Sequence, residues 1–302
     1  MTRQYYSIRT GKNPLASQID LPMFLRLFGD LYKSFLYKEY FQEAFGYDCV
    51  DAGQVSGKLG GDIEAQILRK IRKSNLWTVQ DKYTGYSEDD VFDIIEFLYD
   101  YVSKPIEGFF HDYNNCGWHY QTFNIEAGRQ EYRNEINDLL RDYAGGYELS
   151  NEGEILALAE RGLENLFQAN LPVYDPKNVE DRVNNAVLKF RRYRSSFEDR
   201  RDAIRDLADV LEFLRPKLKT VITKKDENDI FIIANSFGIR HHNDTQKNDY
   251  DKSIWYSWMF YYYLATIHAT LRLIEKHEQS NSENAPKNKS GLTNRALDAG
   301  DS

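Results

Sequence analysis

The stretch NVEDRVNNAVLKFRRYRSSFEDRRDAIRDLADVLEFL, residues 178–214, decides how this chain is read. Within it Val183, Val187, Phe190, Phe197, Ile204, Leu207, Leu211 and Leu214 recur at steps of three, four and seven residues. That period winds them onto one stripe of a long helix and leaves the charges on the other face. Pro216 closes the helix in this reading, because proline has no N–H to continue the ladder.

The same test applied outward finds helices almost everywhere. Asp226 to Phe237 reads as a shorter helix, and Lys252 to Lys276 as the last one, with Trp255, Met259, Tyr262, Tyr263, Thr266 and Leu273 available for a core. In the first half Leu21–Phe45, Asp62–Lys73, Val91–Val102 and Ile125–Tyr143 carry helical spacings. Ser87 offers a capping hydroxyl ahead of Glu88, Asp89 and Asp90, whose charges suit a first turn. Pro105 ends that helix, and His111 to Phe123 reads as an aromatic connection. Gly57-Lys58-Leu59-Gly60-Gly61 lacks the Gly-Lys-Ser/Thr ending and preceding strand of a phosphate loop, so no nucleotide site is expected there. Tyr147–Leu149 and Glu154–Leu156 flank Ser150–Gly153 as a small hairpin. The expected fold class is therefore all-α: an N-terminal helical domain, then a helical bundle, with at most that hairpin between them. Ala144-Gly145-Gly146 marks the boundary, giving domains at 1–145 and 146–278 and a polar, aperiodic tail at 279–302, which composition marks as disordered.

Composition agrees with long helices, since 302 residues contain only 7 Pro and 18 Gly. No apolar run reaches membrane-spanning length and the first residues lack a signal-peptide pattern. Two cysteines, Cys49 and Cys116, then read as reduced thiols of a cytoplasmic protein. The net charge of −8 argues against a general nucleic-acid coat. Residues 177–225 nevertheless hold 14 Lys+Arg against 8 Asp+Glu, a local excess that can meet a phosphate backbone.

Chemistry concentrates in Ile239-Arg240-His241-His242-Asn243, set between two apolar helical segments. An imidazole titrates near neutral pH and a guanidinium stays charged, a combination suited to phosphodiester cleavage. A basic helix, a short helix, an Arg-His-His-Asn loop and an aromatic helix together resemble the HEPN superfamily. Residues 147–276 are similar to the C-terminal region of bacterial abortive-infection-like proteins, which share the Tyr147–Ile155 type of entry. The resemblance implies a metal-independent endoribonuclease acting in growth arrest or phage defence. In it Arg240 stabilises charge on the phosphoryl oxygens while His242, or His241, takes the proton of the ribose 2′-hydroxyl, which leaves a cyclic phosphate. The motif's downstream His does not map, because Thr245, Gln246 and Lys247 stand there. Either His241 or His242 serves instead, or the module binds RNA without cutting it.

Asn243 can bond a phosphate, and Arg194, Arg201 and Arg205, seven and four residues apart, can line one helical face as an RNA floor. Asp206 and Asp209 can support Arg240 or a histidine, although Arg205 with Asp209 also reads as a surface i,i+4 pair. The resemblance further implies a homodimer through the C-terminal domain, with Trp255–Tyr263 as core and interface, and leaves room for a defence-system protein partner. A non-catalytic dimeric scaffold is the alternative function. His268, flanked by Leu264 and Leu271, reads as a core or interface residue and not a catalyst. His111, Cys116 and His119 form a His-x4-Cys-x2-His cluster that can seed a zinc site. Zinc wants four ligands, and the remaining cysteine, Cys49, lies far away in sequence. The cluster is therefore read as a buried aromatic turn, with no metal and no cofactor expected.

Overall fold

A computed structural model describes residues 5–13, 19–159, 163–236 and 250–283. The chain packs as two compact units, residues 1–164 with 191–195, and residues 165–190 with 196–302. The hairpin at 147–157 thus belongs to the first unit and does not open the second.

Four main helices build the first unit: α1 (Leu21–Tyr37), α2 (Ile63–Ile71), α3 (Glu88–Tyr101) and α4 (Ile125–Asp142). Asp20 caps α1 by accepting from the Met23 N–H, and Pro22 in its first turn forgoes no intrahelical bond. Ser87 and Asp90 close a reciprocal capping box on α3, as the sequence at that point predicts. The apolar faces of α1, α3 and α4 meet in an aromatic core where Phe24, Phe28, Tyr32 and Tyr132 are buried. Phe24 stacks on Tyr143 at 4.5 Å, and the Tyr132 hydroxyl donates to the Ile95 carbonyl at 3.3 Å, satisfying its polar atom within the core.

The all-α expectation is wrong. Three two-stranded antiparallel sheets accompany the helices: β1 (Gly46–Cys49) with β2 (Gly53–Ser56), β3 (Lys104–His111) with β4 (Gly117–Asn124), and β5 (Tyr147–Leu149) with β6 (Ile155–Ala157). Only the last pair was foreseen. The supposed connection over 111–123 is the end of β3, a tight turn and most of β4. Pro105 does not merely stop α3; it occupies the start of an edge strand, where a missing N–H is tolerated. Residues 191–195 complete the first unit. Arg191 there donates to Glu148 at 2.7 Å and to the Ala157 carbonyl at 2.9 Å.

The described residues of the second unit contain no strand. The helix expected to run unbroken over 178–214 is two helices, α5 (Asp181–Arg191) and α6 (Phe197–Leu218). Ser196 and Asp199 form a capping box that starts α6 afresh, so Ser-x-x-Asp outranks an apolar period that continues across it. Pro216 lies inside the last turn of α6 and does not end it. Helix α7 (Lys224–Ser236) and the long α8 (Lys252–Glu283) follow, the latter reaching past the expected end at Lys276. The α6 and α8 faces pack along their length over Leu207, Leu211, Met259, Phe260, Tyr263 and Ile267, all buried, and Phe190 stacks on Phe260 at 3.9 Å. His268 is buried on α8, in keeping with a core residue.

An ion pair fastens α7 to α6. The buried Glu227 carboxylate accepts from Arg215 Nε at 2.6 Å and lies 3.5 Å from Lys219 Nζ, while the Arg215 guanidinium covers the Phe231 ring. Arg215's hydrogen bond, working against desolvation, holds the Glu227 carboxyl below its ordinary range. A carboxyl depressed in the folded state adds stability at pH values above its unfolded value, and that stability is lost as pH falls through the folded value. Glu227→Gln should therefore lower Tm at neutral pH and flatten the acid limb of Tm against pH below about 4.5. Thermal melts followed by circular dichroism from pH 7 to 3 check this, and identical wild-type and variant curves would refute it.

Candidate metal centre

Two hairpin ends meet in the first unit. Helix residues Gln42–Phe45 lead straight into β1, and the register pairs Cys49 with Gly53, leaving Val50-Asp51-Ala52 as the turn. Gly53 has φ +68°, a left-handed conformation that costs glycine nothing. In the second hairpin Phe109 pairs with His119 and His111 with Gly117. Asn114 and Asn115 take left-handed angles in its turn, as short polar side chains permit.

The Gln42 side chain joins the two hairpins. Its Nε2 donates to the Trp118 carbonyl at 2.8 Å, and its Oε1 accepts from the Tyr120 N–H at 2.7 Å. A buried amide thereby imitates the pairing of a neighbouring strand along the free edge of β4. Tyr47 of β1 packs on the His119 ring at 4.3 Å, and Phe109 meets the same ring at 5.2 Å.

These contacts gather Cys49, His111, Cys116 and His119 so that one ligand atom from each lies within 4.8 Å of every other. Cys49 Sγ is 3.8 Å from His111 Nδ1, and Cys116 Sγ is 3.3 Å from His119 Nε2. A tetrahedral zinc ion, with Zn–S near 2.3 Å and Zn–N about 2.0–2.1 Å, sets neighbouring donors roughly 3.3–3.8 Å apart. The donor set suits that ion, and the Cys49–His111 and Cys116–His119 spacings fall in that range. The fourth ligand that the sequence reading lacked is Cys49, 62 residues before His111 but adjacent to it in space.

Protonation and outer contacts favour the same chemistry. Backbone N–H groups of Ala52 and Asp51 hold the Cys49 thiol below its ordinary range, toward the thiolate that binds metal. Burial, with His111 nearby, lowers the His119 imidazole and favours its neutral, ligating form. His111 turns Nδ1 to the donor cluster and Nε2 to Asp51 Oδ2, 3.2 Å away. A carboxylate on the far nitrogen of a ligating histidine fixes its tautomer and orientation.

The residues expected to act on RNA are not brought together among the described residues. Arg240, His241, His242 and Asn243 lie outside them, as does the tail beyond Glu283. Arg194 is not on the helix with Arg201 and Arg205, because α6 begins at Phe197. It sits in the turn of the first unit, 3.4 Å from Glu88 and 3.3 Å from Asp89. Arg201 and Arg205 do share α6, where Arg205 pairs with Asp202 at 3.3 Å. Asp206 accepts from Lys189 at 2.6 Å, and Asp209 lies half-buried on the same helix. No helix among the described residues is long and apolar enough to cross a membrane. Comparison with protein families, curated proteins and solved structures finds none that matches the chain.

If Asp51 orients His111, Asp51→Asn should weaken zinc binding about 10-fold while the apo protein keeps its helical spectrum. Competition with a chromogenic chelator measures it, and unchanged affinity would remove Asp51 from the site.

Proposed function

We propose that this is a zinc-binding protein in which a structural ion clasps the ends of the β1–β2 and β3–β4 hairpins. The observation that carries this reading is the convergence of two thiols and two imidazoles from both hairpins within 4.8 Å. Four protein donors fill a tetrahedral ion and leave no position for a reacting water, so the metal holds structure and does not hydrolyse. Each hairpin is too short to be stable alone, and the ion supplies the cross-link that a small apolar contact cannot. The clasp fixes the outer face of β3–β4, where Phe110 and Trp118 meet edge to face at 5.8 Å and Trp118 stacks on Tyr120 at 5.6 Å. The purified protein should contain about one zinc per chain by elemental analysis, and chelation should lower its Tm. His119→Ala should abolish both the metal and the chelator effect. Metal-free protein that melts identically with and without added zinc would overturn the proposal.

A second reading concerns the other unit and is compatible with the first. We propose RNA targeting there, with Arg240 on the phosphoryl oxygens and His242 or His241 as the base. It is favoured by a wholly helical described core in which α7 and α8 directly flank Arg240–Asn243 in the chain. Zinc has no part in that step, because transfer of the 2′-hydroxyl proton and stabilisation of the phosphoryl charge need only imidazole and guanidinium. Zinc-loaded protein should cut RNA to products ending in a cyclic phosphate, and Arg240→Ala should lower the rate at least about 100-fold without moving Tm. Intact RNA after incubation with the zinc-loaded wild type would dismiss cleavage.

A further inference from the structure

Both thiols of the chain stand in this cluster, and they come from opposite hairpins. Cys49 ends β1, Cys116 ends the turn before β4, and their sulfurs lie no more than 4.8 Å apart. Each is half-buried and neither belongs to a disulfide. Neither cysteine is fully buried, and their turns carry exposed residues such as Val50 and Tyr113. A small oxidant can reach them there. Because each sulfur has the other as its neighbour, the first one oxidised meets a thiol before it meets a second oxidant molecule.

We propose that Cys49 and Cys116 form a reversible disulfide when a peroxide reaches the centre, and that this bond expels the zinc. The inference rests on the zinc reading above. One thiolate sulfur attacks a peroxide oxygen, the O–O bond breaks, and the products are a sulfenic acid and, after protonation, water. The second thiolate then attacks that sulfur, the S–O bond breaks, and the departing hydroxide takes a proton to become a second water. Two electrons pass from the sulfurs to the peroxide, and two protons come from solvent. The S–S bond removes both anionic ligands, and two neutral imidazoles alone hold zinc weakly. The new bond spans the same two hairpins that the ion spanned. Oxidation therefore exchanges a metal clasp for a covalent one and does not simply release the hairpins. Reduction by a dithiol restores both thiolates and with them the site.

Zinc-loaded full-length protein treated with hydrogen peroxide beside a zinc-reporting dye tests this. The expected result is release of about one zinc per chain, loss of the mass of two hydrogen atoms, and a cross-linked peptide pair joining Cys49 to Cys116. Dithiothreitol should reverse all three changes when zinc is resupplied. The oxidised, metal-free protein should also melt above the reduced, chelated protein, a comparison that needs no variant able to bind metal. Cys116→Ser should yield no cross-link at any peroxide dose. Protein that holds no zinc before oxidation would sink the zinc reading and this inference together. Protein that holds zinc, yet keeps it under peroxide or oxidises to uncross-linked sulfinic acids, would sink this inference alone.

Discussion

The first unit turns on one buried primary amide. Gln42 donates to one backbone group of β4 and accepts from another, so it behaves as a one-residue strand at the sheet edge. Its position ahead of β1 means that the same short helix that grips the second hairpin also launches the first. Pairing two backbone groups through one amide makes the docking directional and not merely adhesive. With the Tyr47–His119 packing, it sets Cys49 and the three donors of β3–β4 in one frame. The metal cluster is thus a consequence of how an amide pairs and of how Tyr47 packs on His119.

Helices were legible in the sequence because their causes are local. Ser87, ahead of its three acids, starts α3 where side-chain chemistry says it should. The break at Ser196 was equally local, but a regular apolar period through Phe190 and Phe197 concealed it. The β3–β4 hairpin also carried signals: Phe109, Phe110, Trp118 and Tyr120 favour strands, while Asn114, Asn115 and Gly117 suit a turn. Pro105 drew the reading toward a terminator and away from an edge strand. The metal cluster was half visible, since His111, Cys116 and His119 share one hairpin. Cys49 was hidden because tertiary packing brings it near, and no spacing rule spans that gap.

The two units distribute charge and polarity differently. In the first, an acid at a hairpin end, Asp51, faces His111 of the donor cluster. In the second, the arginines of α6 and its neighbours are largely occupied within the bundle: Arg215 by Glu212 and Glu227, Arg205 by Asp202, and Arg200 over the Phe190 ring. A local excess of Lys and Arg counted along the chain therefore overstates the charge presented to a polyanion, because intramolecular partners neutralise part of it first.

The return of residues 191–195 has a consequence for biogenesis. Glu148 and the Ala157 carbonyl are emitted from the ribosome well before Arg191, their partner, which arrives only after residues 165–190 have been synthesised. The amino-terminal body is consequently discontinuous along the polypeptide, interrupted in sequence by residues 165–190. A chain truncated after residue 164 would lack the guanidinium that Glu148 and the Ala157 carbonyl accept from.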